Sequence, residues 1–174
     1  MNMKTTFNFM LAAGLVGALV GCSSDDTTAG STEIDEATAK SKAAATVPGG
    51  ILGAVTKLDE AEEHRWVVEV AMSNGANVAV EIERASGVVA EIAGEKGPFD
   101  YEIPAPGAGF LTYSQAKAKA VAAKAGAVEV WEVKPPENLY EFYVRETSTE
   151  KLWEVKMDAK TGAVTTLEEK DKPD

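Results

Sequence analysis

Val80-Glu81-Ile82-Glu83-Arg84-Ala85-Ser86-Gly87-Val88-Val89 lines up without a gap on Val155-Lys156-Met157-Asp158-Ala159-Lys160-Thr161-Gly162-Ala163-Val164. Each stretch alternates apolar and polar residues, passes a glycine turn and then returns to apolar residues, which is the signature of a hairpin. Upstream, Ala39-Lys40-Ser41-Lys42-Ala43 matches Ala116-Lys117-Ala118-Lys119-Ala120 at nearly the same separation, and Gly49 then falls on Gly126. The order of elements is the same in both halves, so the chain reads as one unit written twice.

Each unit predicts a helix followed by strands. Thr112 with Gln115 three residues on, and Leu111 in front, forms a capping box that opens a helix running to about Ala125. Thr32 with Asp35 is a weaker version for the first half. Alanine is the best helix former and has a small side chain, so both alanine-rich helices should lie close against a sheet. Gly126 and the run Pro48-Gly49-Gly50 are the expected stops.

Alternation assigns the strand faces. Trp66, Val68 and Val70 share one face, as do Val78, Val80 and Ile82, with Ser73-Asn74-Gly75 turning between them. In the second half Tyr140, Phe142 and Val144 share a face, and so do Trp153, Val155 and Met157. Shorter strands are expected at Ile51 to Leu58, Val88 to Ile92, Val128 to Lys134 and Ala163 to Leu167. The expected fold is α+β: two tandem repeats, each an N-terminal α-helix packed on a small antiparallel β-sheet. The repeats span residues 33–92 and 111–167, joined by a Gly/Pro-rich linker at 93–110, with a charged tail at 168–174.

A helix, several strands and a closing Asp-x-x-Thr-Gly-x-Val turn together resemble the PepSY domain. The second repeat carries that turn intact from Asp158 to Val164, whereas the first departs from it with Glu83-Arg84-Ala85-Ser86-Gly87-Val88-Val89. Leu139-Tyr140-Glu141-Phe142-Tyr143-Val144 and Leu152-Trp153-Glu154-Val155 are similar to the family's aromatic-acidic-apolar strand pattern. PepSY domains occur in the propeptides of thermolysin-like metallopeptidases and in secreted or membrane-anchored bacterial proteins. The resemblance implies a non-catalytic module that restrains or modulates a peptidase, and it brings no catalytic residues. Aspartate and glycine in the 158–162 turn are explained by folding, since one accepts backbone hydrogen bonds and the other takes positive φ.

The N-terminus carries an export signal. Lys4 gives a positive start, and Phe7 to Val20 is uncharged and too short for a comfortable membrane span. Leu19-Val20-Gly21-Cys22 resembles a lipobox, which predicts cleavage after residue 21 and lipid on Cys22. The polar tether 22–32 reaches at most roughly 35 Å when extended. In a Gram-negative cell, Ser23 after the lipidated residue would direct the protein to the outer membrane, facing the periplasm. As Cys22 is the chain's one cysteine, no internal disulfide is possible.

Composition excludes several functions. The chain has 17 basic and 28 acidic residues, and Lys4 leaves with the signal, so nucleic acid is not the expected partner. Residues 33–92 hold 11 acidic and 5 basic residues, whereas 111–167 hold 8 of each. The one histidine, His64, lies in Glu62-Glu63-His64-Arg65, which reads as a solvated turn. No metal-ligand or phosphate-loop motif is present, and no cofactor or catalytic residue is assigned. Trp131, Tyr140 and Tyr143 cannot all be placed on one face. One or more should therefore stand on an open sheet face and bind a partner. That partner is an unidentified protein, a secreted or membrane peptidase being the first candidate. The rival readings are a structural envelope lipoprotein that assists assembly and a sensor of a small cationic ligand.

Overall fold

Side chains at every second position give a strand one dry face, and pairing between neighbours aligns those faces into a layer. The computed structural model describes residues 33–60 and 63–173. It is α+β, with two helices and an eight-stranded antiparallel sheet. Helix α1 (Glu36–Thr46) leads into β1 (Ile51–Glu60), β2 (Glu63–Ala71), β3 (Asn77–Glu83) and β4 (Val89–Lys96). Helix α2 (Tyr113–Ala123) leads into β5 (Gly126–Lys134), a short 3-10 helix at Pro135–Glu137, β6 (Leu139–Glu146), β7 (Leu152–Asp158) and β8 (Val164–Lys170). The strands lie in chain order, each paired with the next.

This corrects the expectation of two small sheets. β4 and β5 pair through Ile92 with Val133, Ala93 with Glu132, and Gly94 with Trp131, which makes the sheet continuous. The physical reason is that two separate four-stranded sheets would expose four raw edges, and joining them removes two. Consequently the segment read as a linker begins as strand, through Lys96, and later buries Ile103 to 2% exposure. The charged tail likewise starts later than expected, because Glu168, Glu169 and Lys170 belong to β8. The signal peptide, Cys22 and the tether lie outside the described residues.

Both helices lie on the same kind of surface. Ala39 and Ala43 of α1, and Ala116 and Ala120 of α2, are fully buried, so the missing side-chain bulk is what lets the helices approach. Thr112 caps α2 in the full reciprocal box with Gln115. In α1 the cap is Asp35, accepting from the Thr38 amide at 2.8 Å, rather than Thr32. The core comprises Val68, Val70, Val78, Val80 and Ile82 in the first half. In the second half it comprises Trp131, Val133, Tyr140, Phe142, Val144, Val155 and Met157.

Matching contacts recur. The Ile34 amide donates to the Arg84 carbonyl at 2.8 Å, and the Leu111 amide donates to the Ala159 carbonyl at 2.8 Å. Gly87 (φ +68) turns β3 into β4, and Gly162 (φ +70) turns β7 into β8. A side chain at Gly87 would meet Lys42 and Ile34; one at Gly162 would meet Lys119 and Leu111.

Candidate binding surfaces

The three aromatics expected at a binding face are all buried. Trp131 is 0%, Tyr140 1% and Tyr143 3% exposed, so no partner can reach them as an open aromatic patch. Trp131 and Tyr140 face α2. The Trp131 indole donates to the Tyr101 hydroxyl at 2.8 Å and packs 4.5 Å from the Tyr113 ring, while the Tyr140 hydroxyl donates to the Leu111 carbonyl at 3.1 Å. The bulge between Val128 and Val130 changes the parity of β5, which is why spacing alone did not place Trp131.

Tyr143 does lie on the opposite face, as parity requires, but charged neighbours enclose it. Its hydroxyl donates to Glu141 at 2.6 Å and sits 3.2 Å from Glu154. Lys156 reaches Glu141 at 3.0 Å and Glu154 at 3.2 Å, and Lys170 reaches Glu154 at 3.3 Å. Burial works against the charge on Lys156, yet the two carboxylates more than offset it and raise its pKa. This is a closed network that holds β6, β7 and β8 in register.

The same face carries a second charged cluster where β4 meets β5. Glu81 stands directly across from Glu91. Lys134 lies 2.7 Å from Glu132 and 3.8 Å from Glu91, and Arg65 bridges Glu81 at 2.8 Å and Glu83 at 3.1 Å. Arg65, Glu81, Glu91 and Lys134 line a polar cavity of about 260 Å³ with Glu63 and Glu137. Burial, then the Glu132 and Glu81 carboxylates, push the Glu91 carboxyl up to about 8. Among the described residues, no group of three or more His, Cys, Asp or Glu side chains could hold a metal ion. His64 is exposed, 3.3 Å from Asp59.

Another concavity lies elsewhere, in the segment read as a linker. A groove of about 490 Å³ opens between α2 and residues 99–102. Its wall is aromatic: the Tyr101 and Tyr113 rings stack at 5.3 Å, with Phe99 edge-on to Tyr101 at 6.3 Å. Asp100 and Glu102 are exposed on its lip, and Lys117 crosses it. The overlooked signal is Phe99-Asp100-Tyr101-Glu102-Ile103, a period-two alternation of ring or apolar residue and acid. The surrounding glycines and prolines masked it.

Comparison with known proteins places a family on the second half. Residues 110–168 match the family described as peptidase propeptide and YPEB domain, PepSY. No curated protein matches the chain. A crystal structure from Clostridium difficile 630, described as "a putative lipoprotein", is similar at 16% identity and a TM-score of 0.35. The alignment covers 80% of this chain and 95% of that one. Among the described residues, no helix is long and apolar enough to cross a membrane.

Proposed function

We propose, from the premise that residues 110–168 are a PepSY domain, that the chain is a non-catalytic, extracytoplasmic binding module. In this reading it is held to a membrane by lipid on Cys22 and restrains or modulates a peptidase of the cell envelope. The observation that carries the reading is the family match itself, whose description ties the domain to peptidase propeptides. The intact turn supports it. Asp158 accepts from the Lys160 amide at 3.0 Å and from the Thr161 amide at 2.7 Å, and Gly162 follows with φ +70. The Thr161 amide and hydroxyl, with the Lys160 amide and Asn138, hold the Asp158 carboxyl below the usual carboxylate range.

Residues 33–92 are the second unit of this proposal. The paired amide-to-carbonyl bonds at Ile34 and Leu111, the buried alanine pairs, and the lysines over Gly87 and Gly162 support descent of both halves from one ancestor. The first half has Glu83 where the second has Asp158, and Arg84 where the second has Ala159. The Arg84 side chain is buried, and it bonds Glu33 at 2.6 Å and also Asp59.

Purified residues 32–174, mixed with a thermolysin-type metallopeptidase of the same envelope, test the function. The expected result is a saturable one-to-one complex and slowed hydrolysis of a fluorogenic peptide. If the peptidase instead digests the chain as ordinary substrate, or ignores it at micromolar concentration, the peptidase reading fails.

A further inference from the structure

We propose that the groove between α2 and residues 99–102 is a docking site for the arginine or lysine side chain of an extended partner peptide. This deepens the reading of the chain as a binding module and rests on it.

The groove is built rather than incidental. The loop that forms its outer wall is pinned at several points. Asn74 donates to the Pro98 carbonyl at 3.0 Å and to Asp100, the Tyr113 hydroxyl donates to the Phe99 carbonyl at 3.1 Å, and the Tyr113 amide donates to the Ile103 carbonyl at 3.2 Å. Tyr101 is fixed from behind by the Trp131 indole. The loop is therefore held in place without a ligand, with Phe99 and Tyr101 half-buried along the groove and Tyr113 buried behind them, and a partner need not pay to order it.

Its electrostatics select a cation. Asp100 is bonded through Oδ1 to Asn74, and Glu102 through Oε2 to Ser114. Among the described residues neither carboxylate is in an ion pair, and the second oxygen of each has no protein donor. The nearest cation, Lys117, is already committed: its Nζ donates to the Phe99 carbonyl and stands 5.7 Å over the Tyr113 ring. Two carboxylates thus face a groove whose own ammonium is held by the Phe99 carbonyl on its wall. Their field reaches the floor, because after burial and Tyr101 it is Glu102 and Asp100 that raise the Tyr113 phenol.

Its surface also suits the stem of a long basic side chain. Lys117 shows that an ammonium is accepted against these rings, and aromatic faces attract organic cations more strongly as water is excluded. Ala118 and Val121 of α2 add an apolar lip beyond the rings. Arginine and lysine bury their methylenes on apolar surface while keeping the charged head at a polar rim. The volume exceeds what one such side chain fills, so the flanking residues of a peptide have somewhere to lie.

The test is calorimetric titration of residues 32–174 with acetyl-Leu-Arg-Leu-amide, against the same peptide with citrulline for arginine. The arginine peptide should bind saturably and at least about tenfold more tightly, a preference near 1.4 kcal/mol. The pair Asp100→Asn and Glu102→Gln should abolish that preference, while Glu168→Gln with Glu169→Gln, the same charge loss on β8, should keep it. Equal binding of the citrulline peptide, equal loss in the β8 variant, or no saturation at millimolar peptide overturns the proposal. So does arginine methylamide binding as tightly as the peptide. Amide shifts of the wild-type protein give an answer independent of any variant: they should centre on residues 99–102 and 113–121, and a map elsewhere refutes the site. Arginine-peptide binding without any effect on a peptidase would sink the peptidase reading and keep the groove. Peptidase inhibition without arginine-peptide binding would do the reverse.

Discussion

The Tyr143 hydroxyl donates to Glu141 over 2.6 Å on the sheet face opposite both helices, at a side chain only 3% exposed. A residue whose parity points it toward solvent is thus part of the interior. Tyr143→Phe keeps the ring but removes a neutral donor to Glu141 and Glu154, and should cost about 1–2 kcal/mol in urea unfolding. Tyr143→Ala also removes the ring, and should cost about 3–5 kcal/mol. If Tyr143→Ala were neutral for stability, the side chain would be a surface group and the buried network would be misassigned.

The turn glycines give a paired test. Gly162 and Gly87 both sit at positive φ, where a Cβ costs about 1–2 kcal/mol. Gly162→Ala should cost more than Gly87→Ala. A methyl at 162 would meet Lys119 Cδ at 2.2 Å and Leu111 Cδ1 at 2.9 Å, whereas at 87 the closest atom is the movable Lys42 Cε at 2.8 Å. Midpoints in urea check the order. A reversal would mean that the two turns are not equivalent.

Much of this architecture was legible because it rests on local rules. Alternation set the dry faces of β2, β3, β6 and β7, and Thr112 with Gln115 announced the start of α2. The join between β4 and β5 left no alternating pattern to read, because backbone groups make it. What did specify it was Gly94, where a Cβ would come within 2.1 Å of the Trp131 indole nitrogen. That glycine looked like linker composition and is in fact close packing across the seam. Tyr143 was misjudged for another reason: long carboxylate and lysine side chains cover a ring as well as apolar ones do. The groove at Phe99 to Glu102 was missed because punctuating residues outweighed a short alternation.

Membrane attachment has its own test at Cys22. Cys22→Ala should accumulate an uncleaved precursor that takes up no labelled palmitate, with the cell fraction read by blotting. Normal processing and labelling of that variant would end the lipid-anchor proposal.

Glu91 predicts an unusual pH dependence. It faces Glu81 on β3, Glu132 and Lys134 on β5, and shares its cavity with Arg65, Glu63 and Glu137. Its carboxyl is pushed up to about 8 when folded, against 4.5 for the ordinary group. Between those values the folded chain holds a proton that the unfolded chain has released, so stability should fall as pH rises through that window. Carboxyls held low in the fold act in a different range. Glu146, for example, lowered to about 2 by Thr149 and Lys124, contributes above its ordinary pKa of 4.5, and that contribution is lost in acid. The two effects therefore separate along the pH axis. Glu91→Gln removes the repulsion with Glu81 and Glu132 that develops at high pH and gives up the 3.8 Å contact with Lys134. Its Tm should match or fall slightly below wild type near about pH 5, exceed it near about pH 9, and trace a flatter curve between. A wild-type Tm that stays level or climbs over that interval would show that Glu91 is already ionised, and that Lys134 and Arg65 compensate the seam.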